Sequence, residues 1–357
     1  MNFFLRPLSI MAGLGVFASL VQADPTFSLT DVGAAPSGTV WGFAGGGYYL
    51  NDSGQVAATY SDGGYARPLF WSQSTGQVML GAFGSYHVFT FGIGNDGTVW
   101  GNNVDQAFSW KYGGSMNNFN PIVGSVSTIQ SHVDPSNTFY FKAGSNNYIY
   151  HAGAYHQVNP QGGGIESTNA NADLASYAGH SGHLEAFRWV EGVGTTWLGV
   201  PTGYTDSYSF AINGSGVEAG YGRTLGTTEA AVFSPGGIIT KLGTFGGSIP
   251  SSSAYGINNS GWVVGDSSSA SDNFGHGFVW SSDFGLVELQ THLDSSGTGW
   301  KIFDGEKINV NGQILAFGSP SGSSVEHLVL LTPVPEPASL SVLALGCLAL
   351  YRKRRNK

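Results

Sequence analysis

The chain of 357 residues is 41% hydrophobic yet only 10% charged, and it carries 55 Gly, 22 Phe, 16 Tyr and 9 Trp. That composition suits short strands joined by tight turns and excludes a helical bundle, because no sustained helical pattern of Leu, Glu, Lys and Ala runs through residues 24–332. The formal charge of −9 argues against nucleic acid or anionic lipid as a partner.

Residues 1–23 combine Arg6, the apolar run "PLSIMAGLGVFASL" and the small-residue site "VQA". They read as a secretory signal peptide cleaved after Ala23. The exported chain would begin at Asp24, and "TFSLTDVG", Thr26 to Gly33, is expected to be its first strand. With this leader and the C-terminal tail set aside, 8 Lys plus Arg face 22 Asp plus Glu, about −14.

From Leu50 onward one phrase recurs: "LNDSGQVAAT", then "IGNDGTVWGN" at Ile93, "AINGSGVEAG" at Ala211, "AYGINNSGWVVGD" at Ala254 and "INVNGQILAFG" at Ile308. An apolar run enters a turn of Asn, Asp, Ser and Gly, and a second apolar run leaves it. Asn, Asp and Ser bond back to nearby backbone, and Gly takes the positive-φ position that closes a hairpin loop. Anchored on that residue, copies stand at Gly54, Gly97, Gly216, Gly261 and Gly312, with weaker ones at Asn137 and Leu174. The spacing of about 40 to 45 residues is that of a four-stranded propeller blade.

Each unit continues with a strand that starts polar and ends aromatic, as in "RPLFW" at Arg67, "QAFSW" at Gln106, "EAFRW" at Glu185 and "HGFVW" at His276, and several end on a Leu-Gly step near Leu80, Leu198 and Leu242. Such strands bury both faces only by stacking unit on unit. The seventh unit stops after its third strand, "EHLVLLTPV", and Thr26 to Gly33 resembles a missing fourth. The expectation is one all-β domain, 24–332, a seven-bladed β-propeller closed by its N-terminal strand.

Residues 333–357 form a different segment: a Pro-rich break, an apolar run from Ala338 to Tyr351 that contains the single cysteine, Cys347, and then basic residues. A short membrane-anchoring helix is expected there, its basic stop on the cytoplasmic side. The ectodomain, with no cysteine, has no disulfide, thiol nucleophile or zinc–cysteine site.

"VPEP", with Pro335, Glu336 and Pro337, followed by the apolar run and the cluster Arg352, Lys353, Arg354 and Arg355, resembles the PEP-CTERM sorting tail of Gram-negative bacteria. The resemblance implies processing by an exosortase, an inner-membrane stage held by the tail, delivery to the cell surface or matrix, and association with exopolysaccharide or biofilm. The repeats in turn resemble the HAF-type extracellular repeat, Ile-Asn-x-x-Gly followed by His-Ala-Phe and an aromatic. The match is fullest at Ala254 to Trp280 and weakest across Ser131 to Gly153, the third unit. That resemblance implies a surface or secreted location and no established reaction.

Motifs for chemistry are sparse. His180 and His183 with Glu185 offer a partial metal set, but spacing fixes no third ligand and a solvated loop accounts for them. Asp52 and Asp96 lack the Asp-x-Asp-x-Asp-Gly pattern of a calcium loop. Arg67, Gln106, Glu185, Glu229, His276 and His327 recur at one place per unit, as a ligand rim or, more simply, as strand caps. Tyr48, Tyr49, Tyr60, Tyr65, Tyr148, Tyr150, Tyr204 and Tyr208 stand among Gly, Ser and Asn, where flat rings stack on sugars or else fill blade faces. No phosphate loop, nucleophile elbow or paired carboxylates emerge, so neither cofactor nor catalytic residue is assigned. The reading is a non-enzymatic exported surface or matrix protein associated with exopolysaccharide. The alternative is a polysaccharide hydrolase or lyase on the same scaffold.

Overall fold

A computed structural model describes residues 24–36, 39–41, 47–81, 86–103, 106–122, 127–158, 164–270 and 275–335. The expected cleavage site at Ala23, Glu336 and Pro337 of the sorting motif, the apolar helix and Arg352 to Arg355 lie outside these residues; Pro335 lies inside them and is exposed.

The described chain forms seven antiparallel sheets of four or five strands, each taken almost wholly from consecutive strands. This is an all-β, seven-bladed propeller. Blade 1 runs from Val40–Trp41 and Tyr48–Leu50 through Val56–Asp62 and Tyr65–Ser72 to Gly76–Met79. The innermost strands of the later blades are Val88–Ile93, Ser127–Ile129, Ser167–Thr168, Asp206–Ile212, Ser252–Ile257 and, in blade 7, Trp300–Ile302 with Lys307–Ile308. Blade 7 continues through Ile314–Pro320 and His327–Pro333, and the strand Phe27–Ala34 pairs antiparallel with the latter from Phe27↔Pro333 to Ala34↔His327.

The repeated turn does more than reverse the chain. Its glycines have the expected left-handed backbone, φ 74° at Gly54 and 77° at Gly97 and Gly261. Asn51 Oδ1 accepts from the amides of Ser53 and Gln55, and Asn213, Asn258 and Asn309 repeat this on their own turns. Meanwhile Nδ2 of each donates to the turn carbonyl of the next blade: Asn169 to Asn213 at 2.9 Å, Asn213 to Asn258 at 3.1 Å, Asn258 to Asn309 at 3.1 Å, Asn309 to Asn51 at 2.9 Å and Asn51 to Gly94 at 2.9 Å. These asparagines are all at most 6% exposed. One side-chain type thus satisfies three buried backbone groups and links neighbouring blades in five of the seven turns, whereas blades 2 and 3 carry Gly94 and Asp134 at that place.

Two units depart from the expected anchors. In blade 3 Asn137 takes the positive-φ place, φ 63°, as its position in the phrase requires. In blade 4 the turn is not centred on Leu174, which is a fully buried strand residue, but on Ala172 at φ 65°, two residues earlier. Ala carries no turn signal, whereas Asn169 supplies the same two-amide cap as in the other blades.

The other motifs are also bonding devices. The Leu of the Leu-Gly step donates its amide to the third strand in three blades, Leu80 to Pro68, Leu198 to Ala186 and Leu242 to Ala230. The Ala of "EAF" and "EAA" donates its amide to the next blade, Ala186 to Ser207 Oγ and Ala230 to Ser252 Oγ, both at 2.9 Å. Between blades the core is aromatic and aliphatic, with Phe70, Phe108, Phe139, Phe187 and Phe278 nearly or wholly excluded from water.

Candidate functional site

Counting back from the turn asparagine, or the residue in its place, aligns the seven innermost strands. The residue immediately before it is Leu50, Ile93, Val133, Thr168, Ile212, Ile257 or Ile308, and together these form a collar around the axis. On one side of the collar lies a cavity of about 110 Å³, and on the turn side another of about 170 Å³, which shares Ile212, Ile257 and Ile308.

One step further back stand Tyr49, Gly92, His132, Ser167, Ala211, Gly256 and Lys307. Small residues in four blades leave room for the three large polar ones. Tyr49, His132 and Lys307 therefore meet in the smaller cavity, from blades 1, 3 and 7. The ring of Tyr49 meets His132 edge-on at 5.3 Å. Burial, with the nearby Lys307 charge adding to it, pushes the His132 imidazole down to about 3, so it is neutral at physiological pH. Burial likewise lowers the Lys307 ammonium, opposed by Glu306 and Glu166. Burial raises both of those carboxyls while Lys307 pulls them back. Among the described residues, Lys307 Nζ and the carboxyls of Glu166 and Glu306 form no hydrogen bond or close ion pair, and act on one another at longer range.

Another step back come Phe91, Phe210 and Tyr255, each the extra residue of a β-bulge: the pairing skips from Thr90 to Gly92, from Ser209 to Ala211 and from Ala254 to Gly256. A bulge re-aims a side chain, and Phe210 and Tyr255 line the cavity. The facing strand must be glycine. A Cβ on Gly220 would stand 1.8 Å from the Tyr208 carbonyl oxygen, and one on Gly265 1.9 Å from that of Ser253. Sequence reasoning passed over these aromatics and over Lys307 and His132. Their signal was the phase relative to the turn Asn, with Gly seven residues after it in "VEAGY" and "VVGD".

The residues singled out in the sequence lie elsewhere. His180 Nδ1 and His183 Nε2 share Glu185 Oε2 at 2.5 and 3.2 Å, Glu185 Oε1 accepts from the Gly199 amide at 2.8 Å, and His180 stacks on Trp197 at 4.1 Å. Among the described residues no three His, Cys, Asp or Glu are arranged to hold a metal ion. Asp52 accepts from Asn95 Nδ2 at 2.6 Å, and Asp96 pairs with Lys111 at 2.8 Å. Of the recurrent polar heads, Arg67 donates to the Tyr86 carbonyl, Glu229 accepts from Tyr204 and pairs with Lys241, His276 meets Glu288 at 2.6 Å and His327 meets Asp31 at 2.9 Å. These heads sit on third strands, away from the axis, and brace strand ends rather than forming a rim.

Of the two readings of the eight tyrosines, blade packing fits half of them. Tyr49, Tyr60, Tyr148 and Tyr208 are at most 9% exposed, Tyr49 packing between blades 1 and 2 and against the axial His132, while Tyr65 is 39% exposed and Tyr48, Tyr150 and Tyr204 are half-buried. At the four buried ones, glycine-rich surroundings mark bulges and tight turns rather than exposure.

No family model matches the chain, and no curated protein matches it in sequence. Solved structures do match in fold. An oligogalacturonate lyase from Vibrio parahaemolyticus is 12% identical over 86% of this chain and 94% of its own, with a TM-score of 0.52. The β-propeller domain of the Trilobed protease from Pyrococcus furiosus is 10% identical over 68% and 80%, TM-score 0.47. A gluconolactonase from Xanthomonas campestris is 11% identical over 88% and 96%, TM-score 0.41. At such identity the likeness bears on the propeller fold alone.

Proposed function

We propose that this is a non-enzymatic surface or extracellular-matrix protein that holds extracellular polysaccharide at its axial cavity. The carrying observation is that Lys307, Tyr49 and His132 converge there from three blades, with the carboxyls of Glu306 and Glu166 acting on the Lys307 ammonium. Ionisable and polar groups gathered in a buried cavity cost stability and persist where a ligand repays them. The signal peptide, exosortase processing at Pro335-Glu336-Pro337, a membrane stage on the apolar tail and release to the cell surface complete the reading on sequence grounds. In keeping with it, the Val334 amide bonds the Thr26 carbonyl at 2.8 Å and Pro335 is exposed, so the two ends of the ectodomain leave the ring side by side. The pairing of Phe27–Ala34 with His327–Pro333 supports the N-terminal strand as the ring's clasp.

The second reading is a hydrolase or lyase acting in the same cavity. It is favoured by Lys307, an amine whose basicity burial lowers and so the group there best placed to take a proton, beside the His132 ring. One experiment separates them: the ectodomain is incubated with the exopolysaccharide of its own source, and both retention and product are measured. Retention with intact polymer is the expected result. New chain ends or unsaturated uronate, lost in Lys307→Met, would transfer the assignment to the enzyme, and neither retention nor product would leave a structural scaffold.

A further inference from the structure

Where the chain enters and leaves the ring decides how the protein can sit on a membrane. In an antiparallel blade the turn between the first and second strands and the turn between the third and fourth lie at one end, and the hairpin between the second and third lies at the other. The packing agrees. A Cβ on Gly216 of the repeated turn would lie 3.5 Å from Pro235, in the third-to-fourth turn of the same blade, and one on Gly312 would lie 3.1 Å from Pro333. The strand His327–Pro333 runs toward that end and Phe27–Ala34 starts from it, with the Val334 amide bonded to the Thr26 carbonyl. Both ends of the ectodomain therefore leave from the face of the asparagine belt, the turn face.

Reach sets a second constraint. Only Glu336 and Pro337 separate Pro335 from the apolar run of Ala338 to Tyr351. Three residue steps span at most about 10 Å, whereas the length of a strand such as His327–Pro333 puts the hairpin face roughly 20 Å away. A tail seated in a bilayer cannot carry that face to it. Exposed apolar residues stand on both faces, with Leu225 and Ile249 on the hairpin side, so apolarity alone chooses neither. It does choose between a ring lying flat and one standing on the edge of blade 7. On the turn face Tyr112, Val193 and Ile238 are 61, 76 and 67% exposed, on the third-to-fourth turns of blades 2, 4 and 5, and that spread suits a flat seat.

Resting on the reading of the C-terminal tail as a membrane anchor, we propose that the turn face is the membrane-facing surface of the anchored protein, laid on the bilayer that holds its own tail, with the hairpin face turned outward. The turn-side cavity of about 170 Å³ is then covered, while the smaller axial cavity lies beyond the collar on the outward side. Polysaccharide can therefore be held there before the tail is cut. The exported chain is about −14, and Lys111 on this face is already paired with Asp96, so the seat is apolar and the lipid it fits is zwitterionic rather than anionic.

The test anchors the chain from Asp24 to Lys357 in phosphatidylcholine vesicles whose headgroups carry a nitroxide quencher, and reads a fluorophore on one introduced cysteine. Cys347, the single cysteine of the chain, is first replaced by Cys347→Ser. Val193→Cys and Leu225→Cys then label exposed sites on the turn face and the hairpin face, and thermal melts establish that both variants fold. Val193 belongs to blade 4, across the ring from the tail, so it separates a flat seat from an edge-on one. Its label is expected to be quenched severalfold more than the label at Leu225. Equal quenching at the two sites, none at either, or stronger quenching at Leu225, in a chain that floats with the vesicles, would overturn this inference while leaving the anchor standing. A chain that does not float with the vesicles would overturn both.

Discussion

At the scale of single residues, Glu218 breaks the pattern of its own repeat. Five residues after the turn Asn or its replacement, the other blades place Val56, Val99, Phe139, Leu174, Val263 and Ile314, all fully buried, and blade 5 places a glutamate at the same depth. Neither carboxyl oxygen has a well-formed hydrogen bond, and burial raises the carboxyl well above its usual range, although Ser209 and Arg188 hold it back in part. The folded protein thus keeps a proton that the unfolded chain releases near the ordinary Glu value. Stability is fullest below that value and falls as pH rises through the interval up to the raised one. Replacing Glu218 by Val, as in blades 1, 2 and 6, should stabilise the protein by about 1–3 kcal/mol. The rise in melting temperature should be larger at about pH 8 than at about pH 4; an equal rise at both would mean the carboxyl is not the source. Hydrophobic patterning shows Glu218 only as an ordinary polar residue in "GVEAG", because its burial is set by blade 4, on which blade 5 stacks.

At the scale of the turn, the asparagine belt distinguishes a hairpin cap from an inter-blade bond. The capping half is legible in the sequence, since Asn, Ser and Gly are turn residues whatever surrounds them. The inter-blade half is not, because it depends on how closely one blade's turn approaches the next. Blade 3 makes the separation testable. Asp134 stands where five other blades have Asn and blade 2 has Gly94, still caps Ser136, but has no Nδ2 to donate toward blade 4, and burial raises its carboxyl. Asp134→Asn should therefore supply a bond toward the Asn169 turn and raise stability by about 1 kcal/mol, whereas Asn258→Leu removes a cap and a link together and should cost about 2–4 kcal/mol. Chemical denaturation of both variants measures these changes. A neutral Asp134→Asn with a costly Asn258→Leu would mean that the cap, not the link, carries the energy. The same reasoning explains why the axial residues were missed: Lys307 and His132 lie in units 7 and 3, far apart in sequence, and only the shared count back from Asn309 and Asp134 puts them at one level.

At the scale of the whole molecule, blade count and order were readable from the period alone, including the weakly marked third unit, because a blade needs four strands whatever its sequence and a missing motif leaves its length unchanged. The join between chain ends is where local signals end and tertiary packing begins. Phe27 is wholly buried against Val329, Leu331 and Leu289, and Val32 packs with Leu328, Leu330, Val56 and Leu69, so the first strand contributes to the core on both faces of blade 7. Deleting residues 24–34 would expose the edge of His327–Pro333 and uncover both clusters. An unpaired edge is a template for association, and removing two large buried side chains costs several kcal/mol, comparable to the total stability of many domains. The expected outcome is a chain that loses its cooperative melting transition and elutes as aggregate. A synthetic peptide of residues 24–34, added in excess, should restore the transition in a concentration-dependent way, since binding only to the folded ring raises its stability by mass action. A truncated chain that melts cooperatively and stays monomeric without peptide would show that the ring holds through blade packing alone, with the first strand a cover rather than a clasp.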